Sequence, residues 1–565
     1  MIQPSKTLLG QLLVEKKLIT QDQLTIALAK QKETDKMLGV VLYELGFIDE
    51  EKKLLPILSG QLNIEYVNLK DKKIPPEVIN RVPPKFVSHY KIIPFDFQNG
   101  CLHIATTTPD NIFFLDEISL VVQVPVIPFV AGINDILDAI RQYYGVGAET
   151  IEQMMGNVHP IDDADSQLGD IADDSDASIS KFLNQILLEA YKDRSSDIHI
   201  EPFEGELHIR YRVDGVLYDA QVPPNIKYFK DSINSRIKIL CNLNIAEKRL
   251  PQDGRFKVRM GNIDLDLRVS FLPTPYGESV VLRILNSTKL FSLDELGLGE
   301  AEKTAIEKLI RKPHGIIFLT GPTGSGKTTT LYSCLARLNT DEKKIITIED
   351  PVEYQLKGIT QIQINPAIGL TFASGLRSIL RHDPDIMMVG EVRDIETAEI
   401  AIQSALTGHL IFSTLHTNDA ASGVTRLLDM GVDPYLVTST VDCFIAQRLV
   451  RTICPKCKEE IKLTAELFKN FEEFLKSDEI IHFYQGRGCE QCNFTGYIGR
   501  EPIYEVLFIN ESIRDLVMQR RTANEIKDQA VKNGMMTLRE SGWIKVKQGK
   551  TNPQEVMRVT QEDLD

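Results

Sequence analysis

GIIFLTGPTGSGKTTTLYSCLARL, Gly315 to Leu338, decides how this chain is read. The apolar run Gly315 to Thr320 has the character of a strand buried on both faces, and KTTTLYSCLARL that of the helix after it. Between them lie Gly321, Pro322, Thr323, Gly324, Ser325, Gly326, Lys327 and Thr328. Glycines let backbone N–H groups turn inward on an oxyanion, and the helix that follows adds the positive end of its dipole. All eight residues are therefore expected to cradle the phosphates of ATP. Lys327 is assigned to the β and γ phosphates and the Thr328 hydroxyl to Mg²⁺.

Working outward, three more apolar runs end in polar residues: KIITIED, DIMMVGE and HLIFSTLH. They alternate with helical stretches from residue 291 onward, the pattern of a parallel sheet covered on both faces. Glu391 ends the run Ile386 to Val389, 64 residues after Lys327, and that run is expected beside the phosphate-loop strand, with its carboxylate next to the metal. EDPVEY adds Glu349, Asp350 and Glu353, and TLHTND adds His416. Taken singly, an acidic residue ending a strand is usually solvated. Four ends converging on one sheet edge, where open α/β folds bind ligands, make a site.

Upstream, GNIDLDLRVSFLPTPYGESVVLRIL and LHIRYRVDGVLYDA alternate apolar and polar residues as half-buried strands do, giving a second α/β domain over about 179–290. From Gln142 to Ser180 there is no Lys or Arg while aspartates accumulate, so 149–178 reads as an acidic flexible linker. Residues 61–148 mix short strands with a helical period and suggest a small α/β domain. Residues 1–60 hold a repeat: LLGQLLVEKKLIT (Leu8 to Thr20) matches MLGVVLYELGFID (Met37 to Asp49), 29 residues apart, with two apolar faces able to pack on each other.

The whole chain has 565 residues, a net charge of −15 and 43% hydrophobic residues, which fits several globular domains and offers no general basic footprint for nucleic acid. The most apolar stretch, Leu120 to Val130, is too short to span a bilayer, and the N-terminus lacks the uninterrupted apolar core of a signal peptide. A cytoplasmic location with membrane association through partners only is the expectation, and there the eight cysteines stay reduced. Cys454, Cys457, Cys489 and Cys492 form CPKC and CEQC, two knuckles separated by 31 residues. Four thiolates complete a structural zinc site, within a subdomain of about 452–500; dithiol redox chemistry is the alternative. Cys101, Cys241, Cys334 and Cys443 lack such spacing and are expected to pack as small apolar residues.

These strings together resemble the secretion ATPases of type II secretion and type IV pili, over essentially the whole chain. GPTGSGKT resembles their Walker A motif, IEDPVEY their Asp box, LRHDPDIMMVGEVRD their Walker B and TGHLIFSTLHTND their His box. The resemblance implies a RecA-like ATPase core over 291–565, a PAS-like second domain and a homohexamer driven by ATP and Mg²⁺. It further implies that Glu391 acts on Mg²⁺ and the attacking water, that Glu353 helps polarise that water, and that His416 senses the γ-phosphate. Arg268, Arg283, Arg377 and Arg381 match the family's arginines that stabilise transition-state charge, against the plainer reading of surface ion-pair partners.

By the same resemblance the partners are an inner-membrane platform protein and cytoplasmic assembly proteins. The long N-terminal region and the tetracysteine insert favour pilus extension, with a type II secretion ATPase as the alternative. A nucleic-acid translocase and a nucleotide-dependent scaffold that does not hydrolyse are the readings from other classes. The acidic balance opposes the first, and the pair Glu353 and Glu391 opposes the second. The N-terminal repeat resembles tandem motifs that bind cyclic di-GMP in some of these ATPases, where each motif generally opens with Arg before Leu-Gly. Here Leu8 and Met37 hold those positions and Lys17 replaces a turn glycine, so a folded docking module with weak or absent cyclic di-GMP binding is expected.

Overall fold

The computed structural model describes residues 64–70, 72–107, 112–156, 173–261, 263–285, 291–462 and 482–560, and of the first 63 residues 10, 13–14, 18–34, 41–42, 45–47 and 59. The chain forms two compact units, Met1–Ile284 and Leu285–Asp565.

In the first unit, most of the repeat lies outside the described residues, but its two halves meet where they are described. Leu13 and Leu42, equivalent in the repeat, are both fully buried in one apolar cluster with Ile19, Leu24, Ala27 and Val41. The Leu18 N–H donates to the Leu13 carbonyl at 3.0 Å, and the Phe47 N–H repeats this with Leu42 at 3.0 Å. A three-stranded sheet follows, of β1 (Ile93–Gln98), β2 (Cys101–Thr106) and β3 (Val126–Val130). Cys101, at the start of β2, is only half-buried, unlike the buried Cys241, Cys334 and Cys443.

A six-stranded sheet completes the unit: β4 (Ser195–Phe203), β5 (Glu206–Val213), β6 (Val216–Asp219), β7 (Gln252–Met260), β8 (Ile263–Thr274) and β9 (Gly277–Leu285), in the order β6-β5-β4-β9-β8-β7. The acidic stretch read as a linker over 149–178 is helical at both ends, in helices Ala148–Gly156 and Asp173–Lys192. Ile151, Met154 and Ile179 bury themselves in the same core as β4, β5 and β8. Aspartates dominate the composition there, yet an apolar residue each turn suffices to anchor a helix once a sheet face is available. Residues 157–172 lie outside the described ones.

The second unit is built on a seven-stranded sheet of β10 (Gly315–Thr320), β11 (Ile345–Glu349), β12 (Thr360–Gln363), β13 (Ile386–Val389), β14 (Leu410–Leu415), β15 (Val441–Ile453) and β18 (Tyr497–Phe508), in the order β12-β11-β13-β14-β10-β15-β18. The pairs β11–β12, β11–β13, β13–β14, β10–β14 and β10–β15 are parallel, and only β18 runs antiparallel, to β15. Apolar clusters cover both faces of the sheet, as continuous runs such as IMMV and GIIFLT require. The four expected strands occupy the expected residues.

Their order differs from expectation in one respect. β13 does not lie beside β10; β14 pairs with both and separates them. Crossover connections decide which parallel strands become neighbours, and spacing along the chain carries no trace of that choice. Because β10, β11, β13 and β14 all run the same way, their ends still gather at one edge.

β16 (Lys458–Ile461) and β17 (Phe483–Gly486) form a separate antiparallel pair between β15 and β18. No helix among the described residues is long and apolar enough to cross a membrane.

Candidate functional site

The phosphate loop leaves β10 at Gly321 and enters helix Lys327–Leu338. Its shape depends on missing side chains. Gly321 has φ +147, and a Cβ there would lie 2.6 Å from Ser325 Oγ and 2.7 Å from the Gln447 carbonyl; at Gly326, φ +88, it would lie 2.8 Å from Gln447 Nε2. Lys327 is buried, and its Nζ donates to the carbonyls of Gly321 at 2.6 Å and Pro322 at 3.1 Å. Burial, with Arg448 nearby, pushes its pKa down to about 8, while Glu391 pulls it up. The buried Ser325 hydroxyl has no partner among the described residues, as suits a donor aimed at a phosphate oxygen.

Glu391 stands just beyond β13 and His416 just beyond β14. Ser413 on β14 donates its hydroxyl to the Val389 carbonyl and Thr414 to the Gly390 carbonyl, which fixes the two strand ends against each other. The buried Glu391 carboxylate consequently meets His416 Nε2 at 3.2 Å and the Arg393 guanidinium at 2.6 Å. A carboxylate and a threonine hydroxyl at the mouth of a phosphate loop are the hard oxygen donors that Mg²⁺ takes, so Glu391 and Thr328 fit that ion.

Glu353 sits half-buried on the loop that follows β11. Glu349, which the sequence set beside it as a further strand-end carboxylate, is buried and faces inward to Tyr332, Thr347 and Gln361. Arg377, on helix Phe372–Ile379, pairs with Glu396 at 2.6 Å, and Arg381 donates to the Arg377 carbonyl at 2.9 Å; both are exposed. Arg268 on β8 and Arg283 on β9 belong to the other unit, both exposed, and Arg283 donates to Asp197 at 2.8 Å.

Sequence reasoning missed Gln447 and Arg448. β15 follows β10 in parallel register, with Thr320 opposite Ala446, so the next two residues of β15 lie against the phosphate loop. Gln447 accepts from the Thr330 hydroxyl at 2.9 Å behind the loop. Arg448 donates to the Asn418 carbonyl at 2.6 Å and so ties β15 to the segment after His416. A signal was present: CFIAQRLV places Gln-Arg inside a run that otherwise reads as core.

The four knuckle cysteines do come together. Their sulfurs all lie within 4.8 Å of one another, with Cys454–Cys489 at 3.7 Å, Cys457–Cys492 at 3.8 Å and Cys489–Cys492 at 3.7 Å. Thiolates about 2.3 Å from a tetrahedral centre stand about 3.8 Å apart, so the set fits Zn²⁺. Backbone N–H groups of Gly488, Cys489 and Gly496 point at the sulfurs of Cys457 and Cys492, as thiolate ligands require.

A phosphate loop whose neighbouring strand ends supply a paired carboxylate and imidazole is the nucleotide site of a P-loop protein on a RecA-like sheet. The chain belongs to the family described as Type II/IV secretion system protein, whose model matches residues 172–558, and an MshEN domain matches residues 62–150. It is 41% identical to the type IV pilus assembly ATPase PilB of Myxococcus xanthus, covering 98% of this chain and 99% of that one. It is 42% identical to type II secretion system protein E of Xanthomonas campestris, covering 99% of each chain. The type II secretion system ATPase E of Vibrio cholerae is 47% identical over 69% of this chain and 76% of its own.

Proposed function

We propose that this protein is an ATPase that hydrolyses ATP to ADP and phosphate and drives type IV pilus assembly as a cytoplasmic homohexamer working on an inner-membrane platform. The observation that carries this reading is the end-to-end likeness to a pilus assembly ATPase, N-terminal region included, in a chain whose Glu391, paired with His416, acts on Lys327 of the phosphate loop. In the proposed cycle the loop N–H groups and Lys327 hold the β and γ phosphates. Glu391 orients the attacking water and draws its proton, Glu353 polarises that water from the neighbouring loop, and His416, held by Glu391, reads the γ-phosphate. Mg²⁺ held by Thr328 and Glu391 would neutralise charge on the transferring phosphoryl group. Arg268, Arg283, Arg377 and Arg381 are proposed to supply transition-state charge. The type II secretion reading is supported by an equally complete likeness to protein E of Xanthomonas campestris.

Glu391→Gln should bind ATP normally yet turn over at least tenfold more slowly, since the cradle survives while the water loses its base, a contribution of about 10² to 10⁴ in rate. Loss of binding as well would contradict the placement of Glu391. Carried into the chromosome, the same substitution should abolish surface pili and leave protein secretion intact. The converse outcome would make the protein the secretion motor.

Leu8 and Met37 lie outside the described residues, and the packing of Leu13 on Leu42 needs no ligand. Titration of the full chain with cyclic di-GMP should therefore give a dissociation constant weaker than about 1 μM, roughly −8 kcal/mol. A tighter value would show that apolar and backbone contacts suffice without arginines at those positions.

A further inference from the structure

Tyr332 follows Thr328 by one helical turn, so the two share a face of the helix that leaves the phosphate loop. Tyr332 is fully buried, and its hydroxyl donates to the Glu349 carboxylate at the end of β11. Glu353 lies four residues further on, in the loop that follows β11. Gln361, on β12 opposite Thr347 of β11, closes the arrangement. Its Nε2 lies 3.1 Å from Glu349 Oε1, 3.3 Å from the Tyr332 hydroxyl and 3.2 Å from the Tyr354 carbonyl, and its Oε1 accepts from the Leu356 N–H at 2.7 Å. The rings of Tyr332 and Tyr354 pack edge to face with centroids 4.7 Å apart.

A carboxylate this deeply buried is held only by complete hydrogen bonding, and Glu349 obtains it from a helix, from its own strand and from a neighbouring strand at once. The groups that satisfy it are the ones that grip the Glu353 loop at Tyr354 and Leu356. Helix, strand and loop therefore cannot shift independently without stranding a buried charge.

We propose that Tyr332, Glu349 and Gln361 form a buried latch that sets the Glu353 loop against the phosphate-loop helix, making Tyr332 and Gln361 positioning residues for hydrolysis. The proposal rests on the ATPase reading and adds to it a reason why Glu349 faces inward rather than to the metal. The latch keeps Glu353 at a fixed distance from the helix face that presents Thr328, so the two groups move as one body.

The test uses the full-length protein and separates binding from chemistry. Tyr332→Phe keeps the ring contact with Tyr354 and removes only the hydroxyl. It should lower kcat at least about tenfold, because a displacement near 1 Å of a positioned group can cost about a hundredfold in rate. The Kd of a fluorescent ADP analogue should stay within about threefold of wild type. Gln361→Ala, which frees the loop from the other side, should show the same split and decides the matter if Tyr332→Phe does not fold. Wild-type kcat in either folded variant, with only a lower Tm, would mean that the network is structural and would overturn the latch. Loss of ADP binding in parallel with kcat would overturn it too, by placing the defect in the phosphate loop. Absence of Lys327-dependent phosphate release from the wild-type protein would instead overturn the ATPase reading on which the latch depends.

Discussion

Lys327→Ala should reduce ATP hydrolysis below about a tenth of the wild-type rate, and a phosphate-release assay checks it. A charge-assisted hydrogen bond is worth about 1.5–3 kcal/mol, and losing one in the transition state alone slows a reaction roughly ten- to a hundredfold. The ammonium also sits where burial holds its pKa at about 8, against a free value of 10.5. Phosphates favour the charged form, which sets the sign of a pH effect. Below about pH 8 the lysine is already protonated and binding proceeds without proton uptake. Above it, each binding event must take up a proton, so ATP affinity falls as pH rises through that value and approaches a tenfold loss per pH unit. Lys327→Ala should abolish this dependence along with the activity. A variant that kept both its rate and its pH profile would remove Lys327 from the phosphates.

Loss of zinc should have the second large effect, on stability rather than on chemistry. β16 and β17 are two four-residue strands, and a two-stranded sheet alone is marginal in water. The cysteines form a small cluster of their own with Ile498, while Phe483 of β17 and Ile461 of β16 reach the main core of the unit. Structural zinc sites supply roughly 10 kcal/mol or more of apparent binding energy, and part of it becomes folding energy of the segment the ligands tie together. Freshly purified protein should carry about one zinc per chain, and Cys457→Ser should lose it, lower solubility and lower Tm, while the soluble fraction retains most of its kcat. Less than about half an equivalent of zinc in the wild-type protein would sink the assignment.

The parts of the site that were legible in the sequence share a physical origin. GIIFLT, IITIE, IMMV and LIFSTL are strands buried on both faces, where no alternation is needed and an unbroken apolar run shows the element directly. GPTGSGKT is legible because its glycines answer to a local conformational demand, seen in φ values of +147 at Gly321, +80 at Gly324 and +88 at Gly326. The paired knuckles are legible because the repeated CxxC spacing marks four cysteines, whose sulfurs the fold brings within 4.8 Å of one another.

Residues whose meaning depends on distant partners were not legible. Gln447 reaches Thr330 across 117 residues, Glu505 accepts from the Ala420 N–H across 85, and Lys327 is perturbed by Arg448 from a strand beyond the next helices. Glu349 and Glu353 stand four apart in one acidic motif, and nothing in that motif says which faces the core. Tyr332 and Gln361 decide it by receiving the carboxylate of Glu349.

The sequence by itself determined the phosphate loop, the strands that lead to Glu391 and His416, the paired cysteine knuckles and the family, since each depends on contiguous residues obeying local rules. Tertiary structure alone decided that β14 separates β13 from β10, that the ends of the acidic segment are anchored helices, and that Glu349 is an internal support. Those outcomes are fixed by which surfaces meet when crossovers close and buried charges find partners, and long-range packing of that kind leaves no periodicity along the chain.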